Sequence, residues 1–277
     1  MITNYKTIKS PSNPMIKEAI KIKKRSGASR DLFLIEGHHL IEMAIVSSLS
    51  SIKTLFFTEE FASKKDFQKI LKYIPSIEKV LITEHLLSLL ADTESPQGLI
   101  AIINYKSLKL DEIKSANNPL LIICDAIQDP GNIGTIIRAA DAFGANAVVT
   151  LPSTCEPFNS KAIRATAGSI FNIPVIKTEK SELLKYLVSR DISIYATSSK
   201  AHNSIYEIDF NKPIALIFGN EAHGVSTSLQ EKAKGIFKIP ISGKAESINV
   251  AMTATACLYE AARQRNFFRL SYPKDNF

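Results

Sequence analysis

Three short stretches hold the residues that could do chemistry. In DPGNIGTIIRAADAFGANAVV, residues 129 to 149, Asn132 stands between two glycines at the entrance to a helical pattern, and Arg138 follows as a lone cation among Ile and Ala. In IALIFGNEAHGVS, residues 214 to 226, an apolar run ends in Gly219-Asn220-Glu221, with Gly224 soon after. In IPISGKAESINVAMTATACLYEAARQR, residues 239 to 265, Ser247 and Asn249 open an alanine-rich helix. Glycines let a ligand approach the main chain closely. A carboxylate, a guanidinium, amides and a hydroxyl can then orient it and answer its charge. Each stretch alone also has a plainer reading: an exposed helix arginine in an ion pair, a solvated turn glutamate, and a serine cap on a core helix.

Local geometry sharpens the first stretch. Asn132 reads as the N-cap, its side-chain oxygen able to accept from free helix N–H groups. Ile133, Ile136, Ile137 and Ala140 make a buried stripe at helical spacing. Gly144 stands where a C′ glycine belongs. Arg138 is off the stripe, about 9 Å up the axis from Asn132 at the usual rise per residue. Its side chain leans back towards the helix entrance.

The elements that must position these residues form two sets. LLIICD, AVVTL, ISIYATS, PIALIFG and GIFKIPI read as strands with helices between them. That is an α/β unit with a mostly parallel sheet covered on both sides, whose ligand belongs at the strand ends. Ahead of it, strands at LFLIEG, TLFFTE, KVLIT and GLIAIIN alternate with helices at residues 11 to 26, from His38, at DFQKILKYI and at HLLSLLA. KSLKLDEIKSANNP is polar and reads as a linker. The expected organisation is 1–105 as a small α/β domain, 106–118 as linker and 119–277 as the domain with the three stretches.

The chain has 277 residues, a formal charge of +7 and 45% hydrophobic residues, an ordinary globular composition with a basic balance. Such a balance favours an anionic partner without naming it. Lys21, Lys23, Lys24, Arg25 and Arg30 crowd one segment with Gly and Ser, which can bend around an irregular polyanion. They are the candidate nucleic-acid contacts, the bland alternative being a solvated helix face. The three cysteines form no CxxC pair and read as reduced core thiols of a cytosolic protein. No signal-peptide h-region and no membrane-length apolar run is present. GNIGT lacks the GK[ST] of a P-loop, no GxGxxG follows a strand, and GxSxG and HExxH are absent. Histidines and cysteines do not fall at metal-ligand spacing, so no metal is expected.

In this order and spacing, NIGTIIRAADAFGA, FGNEAHG and IPISGKAESINV resemble the SpoU/TrmH family of RNA ribose 2′-O-methyltransferases. SPSNPMIKEAIKIKK and LFLIEGHHLIEMA more loosely resemble the substrate-binding domain of its ribosomal RNA branch. The resemblance implies a trefoil-knotted methyltransferase domain, S-adenosylmethionine as cofactor, a homodimer, and 23S ribosomal RNA as substrate ahead of tRNA; the alternative is a non-catalytic RNA-binding protein on the same fold. It implies an active-site set of Asn132, Arg138, Glu221, Ser247 and Asn249, with Glu221 expected to orient Arg138. It places Gly219, Asn220, Gly224, Ile239, Ile248 and Asn249 around the cofactor. Ile248 replaces the commoner Leu, a shape-conserving change.

Overall fold

The computed structural model describes residues 5–24 and 32–265, which fall into two units. The first comprises residues up to Ser107 together with Glu156–Asn172. The second comprises Leu108–Cys155 and the chain from Ile173 onward.

The first unit runs β1 (Lys6–Ile8), α1 (Pro14–Lys24), β2 (Leu32–Glu36), α2 (His38–Val46), β3 (Ser50–Phe57), α3 (Glu59–Ala62), α4 (Lys65–Tyr73), β4 (Glu78–Ile82), α5 (Glu84–Leu90) and β5 (Leu99–Tyr105). Its five strands lie in the order β1-β4-β3-β5-β2. β5 runs antiparallel to β2 and β3, whereas β1 and β3 are parallel to β4. Helix α1 buries Ile16, Ala19 and Ile22 in a core with Phe56, Val80, Leu86 and Ile100. The helical spacing of those three residues leaves the α1 lysines on its other faces.

The second unit continues with β6 (Leu120–Asp125), α6 (Pro130–Ala142) and β7 (Ala147–Thr150). Helix α7 (Ser160–Thr166) follows in sequence but packs in the first unit. Then come β8 (Val175–Lys177), α8 (Lys180–Ser189), β9 (Ser193–Thr197), β10 (Asn203–Ser204), β11 (Ile214–Gly219), α9 (Thr227–Gln230), β12 (Gly235–Lys238) and α10 (Val250–Gln264). The sheet order is β10-β12-β9-β11-β6-β7-β8, and every pairing is parallel. β6 and β11 lie in its interior, and all twelve of their residues are buried. That burial is why both read as unbroken apolar runs rather than alternating ones. β8 and β10 are too short to leave such a signal.

Two details of organisation differ from a single linker between two contiguous halves. Ile113 sits in the core of the second unit, with Leu108 and Leu110 against it. The polar segment is therefore pinned by three apolar residues. Residues 156–172 complete the first unit: Phe158 lies 5.4 Å from Phe33 and 4.7 Å from Tyr105 between ring centroids. The Ser47 hydroxyl also donates to the Phe171 carbonyl at 2.6 Å. Gly168 has φ +97, and a Cβ there would meet Met43 Cγ at 2.9 Å, so the segment presses closely on α2.

Candidate active site

The carboxyl ends of β6 and β11 lie side by side, with Gly219 in register with Asp125. Strand order turns here: β7 and β8 extend one way from β6, and β11, β9, β12 and β10 the other. Ligands of open parallel sheets bind at such a point.

Helix α6 begins earlier than its sequence pattern suggests. Asp129 is the cap, accepting from Gly131 N at 3.1 Å, and Pro130 follows it. Proline at the first helical position needs no N–H partner and has a pre-set φ. Asn132 is thus not the N-cap. It lies inside the first turn, 8% exposed, with its amide available for tertiary contacts. The expected stripe and C-terminal glycine of α6 are present: Ile133, Ile136, Ile137 and Ala140 are fully buried, and Gly144 has φ +72.

Asn132 joins the three sequence stretches. Its Nδ2 donates to Glu221 Oε1 at 2.8 Å, and its Oδ1 accepts from Asn249 Nδ2 at 3.0 Å. Asn249 is the N-cap of α10, its Oδ1 accepting from Ala251 N and Met252 N at 2.9 and 3.3 Å. The Glu221 carboxylate also accepts from the backbone N–H of Gln128 at 3.2 Å and of Asp129 at 3.4 Å. Partial burial pushes the Glu221 carboxyl up, but the Asn132 amide and these N–H donors outweigh it and hold it below the usual carboxylate value.

Loop 220–226 carries Glu221. Asn220 Oδ1 accepts from Ala222 N and His223 N at 2.9 and 3.0 Å, while its Nδ2 donates to Ala126 O at 2.9 Å. A Cβ on Gly219 would lie 2.1 Å from Gly224 C and Val225 N, so only glycine lets the loop fold back on the strand end. Gly224 itself has φ +72.

These walls enclose a cleft of about 270 Å3 in the second unit. Gly219, Asn220, Glu221, Gly224, Ile239, Ser247, Ile248 and Asn249 all line it. Thr197, Ser198, Ile241 and Thr253 line it too, and the sequence motifs did not point to them. Thr197 ends β9 and Ser198 follows it, so the carboxyl end of that strand was the available signal. Ser247 is exposed and makes no hydrogen bond with any described residue. Among the described residues no group of three His, Cys, Asp and Glu could hold a metal ion.

Arg138 lies off the buried stripe, as its spacing suggested, but the contact with Glu221 is not formed. It is exposed on α6, with no hydrogen bond or ion pair to a described residue. Glu221 does not orient it; that carboxylate is fully engaged by Asn132 and the loop before α6. Beside α6 packs α10, with Phe143 and Tyr259 rings edge-on at 6.0 Å. Met252 and Tyr259 of α10 are exposed.

Residues 119–259 match the SpoU rRNA Methylase family, and residues 13–101 match the MRM3-like substrate binding domain. The chain belongs to the SpoU rRNA methylase family. The 23S rRNA (guanosine(2553)-2'-O)-methyltransferase RlmP of Bacillus subtilis is a SpoU relative 34% identical over 92% of this chain and 98% of its own. The 23S rRNA (uridine(2479)-2'-O)-methyltransferase of Streptomyces viridochromogenes is 28% identical over 84% of this chain and 83% of its own. Among solved SpoU-type structures, the AdoMet-bound rRNA methyltransferase from Sinorhizobium meliloti superposes with a TM-score of 0.84 at 27% identity. It covers 96% of this chain and 99% of its own. The AdoMet complex of AviRb from Streptomyces viridochromogenes gives a TM-score of 0.82 at 27% identity, over 92% and 100%.

Of the candidate RNA-binding residues, Lys21, Lys23 and Lys24 lie at the end of α1. Lys21 and Lys24 are exposed. Lys23 is instead committed within the unit: its Nζ donates to the carbonyls of Ala91 and of Leu89 (3.3 Å) and pairs with Asp92 at 3.2 Å. A cation there answers the carbonyls at the C-terminus of α5. Arg25 and Arg30 lie outside the described residues. Burial raises the thiol pKa of Cys124 and Cys257, in keeping with inert core thiols, whereas Cys155 is half-buried. No described helix is long and apolar enough to cross a membrane.

Proposed function

We propose that this protein is an S-adenosylmethionine-dependent RNA methyltransferase acting on a ribose 2′-hydroxyl of 23S ribosomal RNA in the cytoplasm. The observation that carries the reading is the chain Glu221–Asn132–Asn249 at the cleft, which unites the three sequence stretches in one site. The 23S rRNA activities of the SpoU relatives support the substrate. The cofactor is supported by the AdoMet-bound neighbours and by the cleft itself. Its main-chain wall at Gly219 and Gly224 suits close approach of a flat base. Ile239, Ile241 and Ile248 offer apolar faces, and the Ser and Thr hydroxyls suit a ribose and an amino-acid tail.

When bound, S-adenosylmethionine supplies an already electrophilic methyl group. The protein must hold the hydroxyl in line with it and favour loss of the hydroxyl proton. Arg138 serves as a fixed cation that binds the hydroxyl or a neighbouring phosphate and stabilises developing negative charge. Arginine stays protonated in proteins, which favours this electrostatic role over that of general base. Ser247, with its exposed hydroxyl, positions the acceptor. Asn132 and Asn249 are already spent on each other and on Glu221, so they act by fixing the loop before α6 and the start of α10.

The active form is a homodimer joined through the face shared by α6 and α10, where Met252 and Tyr259 stand exposed. The segment between β12 and α10 is threaded as the trefoil knot of the family. Lys21, Lys24, Arg25 and Arg30 bind RNA phosphates.

The test is transfer of labelled methyl groups from S-adenosylmethionine to 23S rRNA and to tRNA, followed by mapping of 2′-O-methyl sites. Incorporation at one 23S ribose is expected. A 2′-deoxy substitution at that nucleotide should leave binding intact and abolish transfer. Methylation of the deoxy substrate at the wild-type rate overturns the ribose reading, and incorporation into tRNA alone overturns the ribosomal one.

A further inference from the structure

Asp125 has no part in the site just described, yet it is the one buried charged residue among the described residues, 2% exposed at the end of β6. Carboxylates are almost never fully buried unless paired. Its Oδ2 accepts from Ser226 N at 2.8 Å, and its Oδ1 lies 3.4 Å from Lys180 Nζ at the start of α8. The Lys180 ammonium in turn donates to Ser226 Oγ at 2.8 Å. The ion pair thus grips both the backbone N–H and the hydroxyl of one residue.

Ser226 is the far end of the loop that carries Glu221. The near end is held by Asn220, bonded to Ala126 O, one residue beyond Asp125. Both ends of the loop are therefore moored to the same strand end. Packing holds the loop at one point, Val225, which is 2% exposed in the core of the unit; the rest of it is a thin partition. On one side lies the cofactor cleft, and on the other a second hollow of about 870 Å3, lined by Lys180, Asp125, Ser153 and His223. Asn220 and Gly224 line both spaces. The pair is buried only on its Asp125 side, since the Lys180 side chain is 37% exposed, so its attraction adds little to stability, but its hydrogen bonds specify a geometry.

We infer that Asp125 and Lys180 are positioning residues that set the 220–226 loop for cofactor binding and methyl transfer. The inference rests on the methyltransferase reading above. Neither side chain touches the reacting atoms; each acts through Ser226 on the cleft wall and on Glu221.

The test uses the full-length protein, S-adenosylmethionine titration by calorimetry, and steady-state transfer to 23S rRNA. Lys180→Met, which keeps length and removes charge, should weaken S-adenosylmethionine binding and lower kcat about tenfold or more each, with little change in KM for RNA. Lys180→Arg should restore both to within about threefold of wild type. Lys185→Met, on the exposed side of α8, should change neither. Ser226→Ala removes only the hydroxyl acceptor and should weaken binding in the same direction. Added to Lys180→Met it should cost nothing further, because both remove one interaction. Should Lys180→Met fail to fold, Ser226→Ala carries the test. A Lys180→Met or Ser226→Ala protein that melts earlier but keeps wild-type Kd and kcat shows a purely structural role for the pair, and overturns the inference. Active wild type with unaffected variants overturns the pair alone; wild type that transfers no methyl group overturns the functional reading, and the pair with it.

Discussion

The Asn132 amide donates to the Glu221 carboxylate at 2.8 Å, although 89 positions separate the two in the chain. Asn132 can do so because Asp129 and Pro130 start the helix without it. Glu221 can do so because the loop beyond Gly219 folds back on its own strand end. The result is a rigid polar seam that leaves Arg138 uninvolved. The cation proposed for the chemistry is held by helix α6, not by a counter-ion.

Arg138→Ala should abolish methyl transfer while S-adenosylmethionine binds within a few-fold of wild type, measured by calorimetry beside a transfer assay. Because Arg138 is exposed, the melting temperature should move by less than about 2 °C. Retained activity would remove Arg138 from the mechanism.

Glu221→Gln should cut transfer about tenfold or more, since a neutral acceptor holds the Gln128 and Asp129 N–H groups and the Asn132 amide less firmly. It should also change the response to acid. The Glu221 carboxyl in the folded protein sits below its ordinary 4.5, so the unfolded chain binds that proton more readily. The carboxylate thus adds stability above pH 4.5 that is lost as pH falls through the folded-state value. Urea midpoints from neutral pH to about pH 3 should fall less steeply for the variant than for wild type. Parallel curves would show that the carboxylate carries no linkage.

Lysines of α1 should separate into two classes. Replacing Lys21 and Lys24 by Ala should weaken RNA binding and lower its salt dependence by roughly 0.7 to 0.9 in slope for each phosphate no longer neutralised. Lys23→Ala should instead destabilise the fold, by about 1 to 2 kcal/mol for its missing charged hydrogen bonds. An unchanged slope for the first pair would leave them a solvated helix face. An unchanged urea midpoint for Lys23→Ala would show that its hydrogen bonds and ion pair contribute nothing.

Deleting residues 1–107 should give an aggregation-prone protein, not a free methyltransferase domain. Phe158, Ile163, Ile170 and Phe171 are nearly fully buried, and they belong to the unit that the deletion removes. Replacing 156–172 by a flexible linker of equal length in the same truncation should restore solubility and S-adenosylmethionine binding. Light scattering and calorimetry would decide. A soluble simple truncation would mean that this segment repacks elsewhere.

By itself the sequence determined the strands that are buried on both faces, since β6 and β11 must be continuous apolar runs and nothing else of that length fits them. It marked Gly219, Asn220 and Glu221 as a candidate cleft wall, because glycine beside Asn and Glu at a strand end is a local pattern that survives without neighbours. Only the tertiary structure decided who bonds to whom. Asn132 as an interior residue, Glu221 bound away from Arg138, Lys23 turned onto α5 and Asp125 paired with Lys180 all depend on meetings between distant segments. Nothing in the local spacing encodes them. The same holds for residues 156–172: their aromatic residues called for a core, but which core was settled only where Phe33 and Tyr105 stood ready to receive them. Burial drives such residues to any apolar surface, and the chain path alone selects which one.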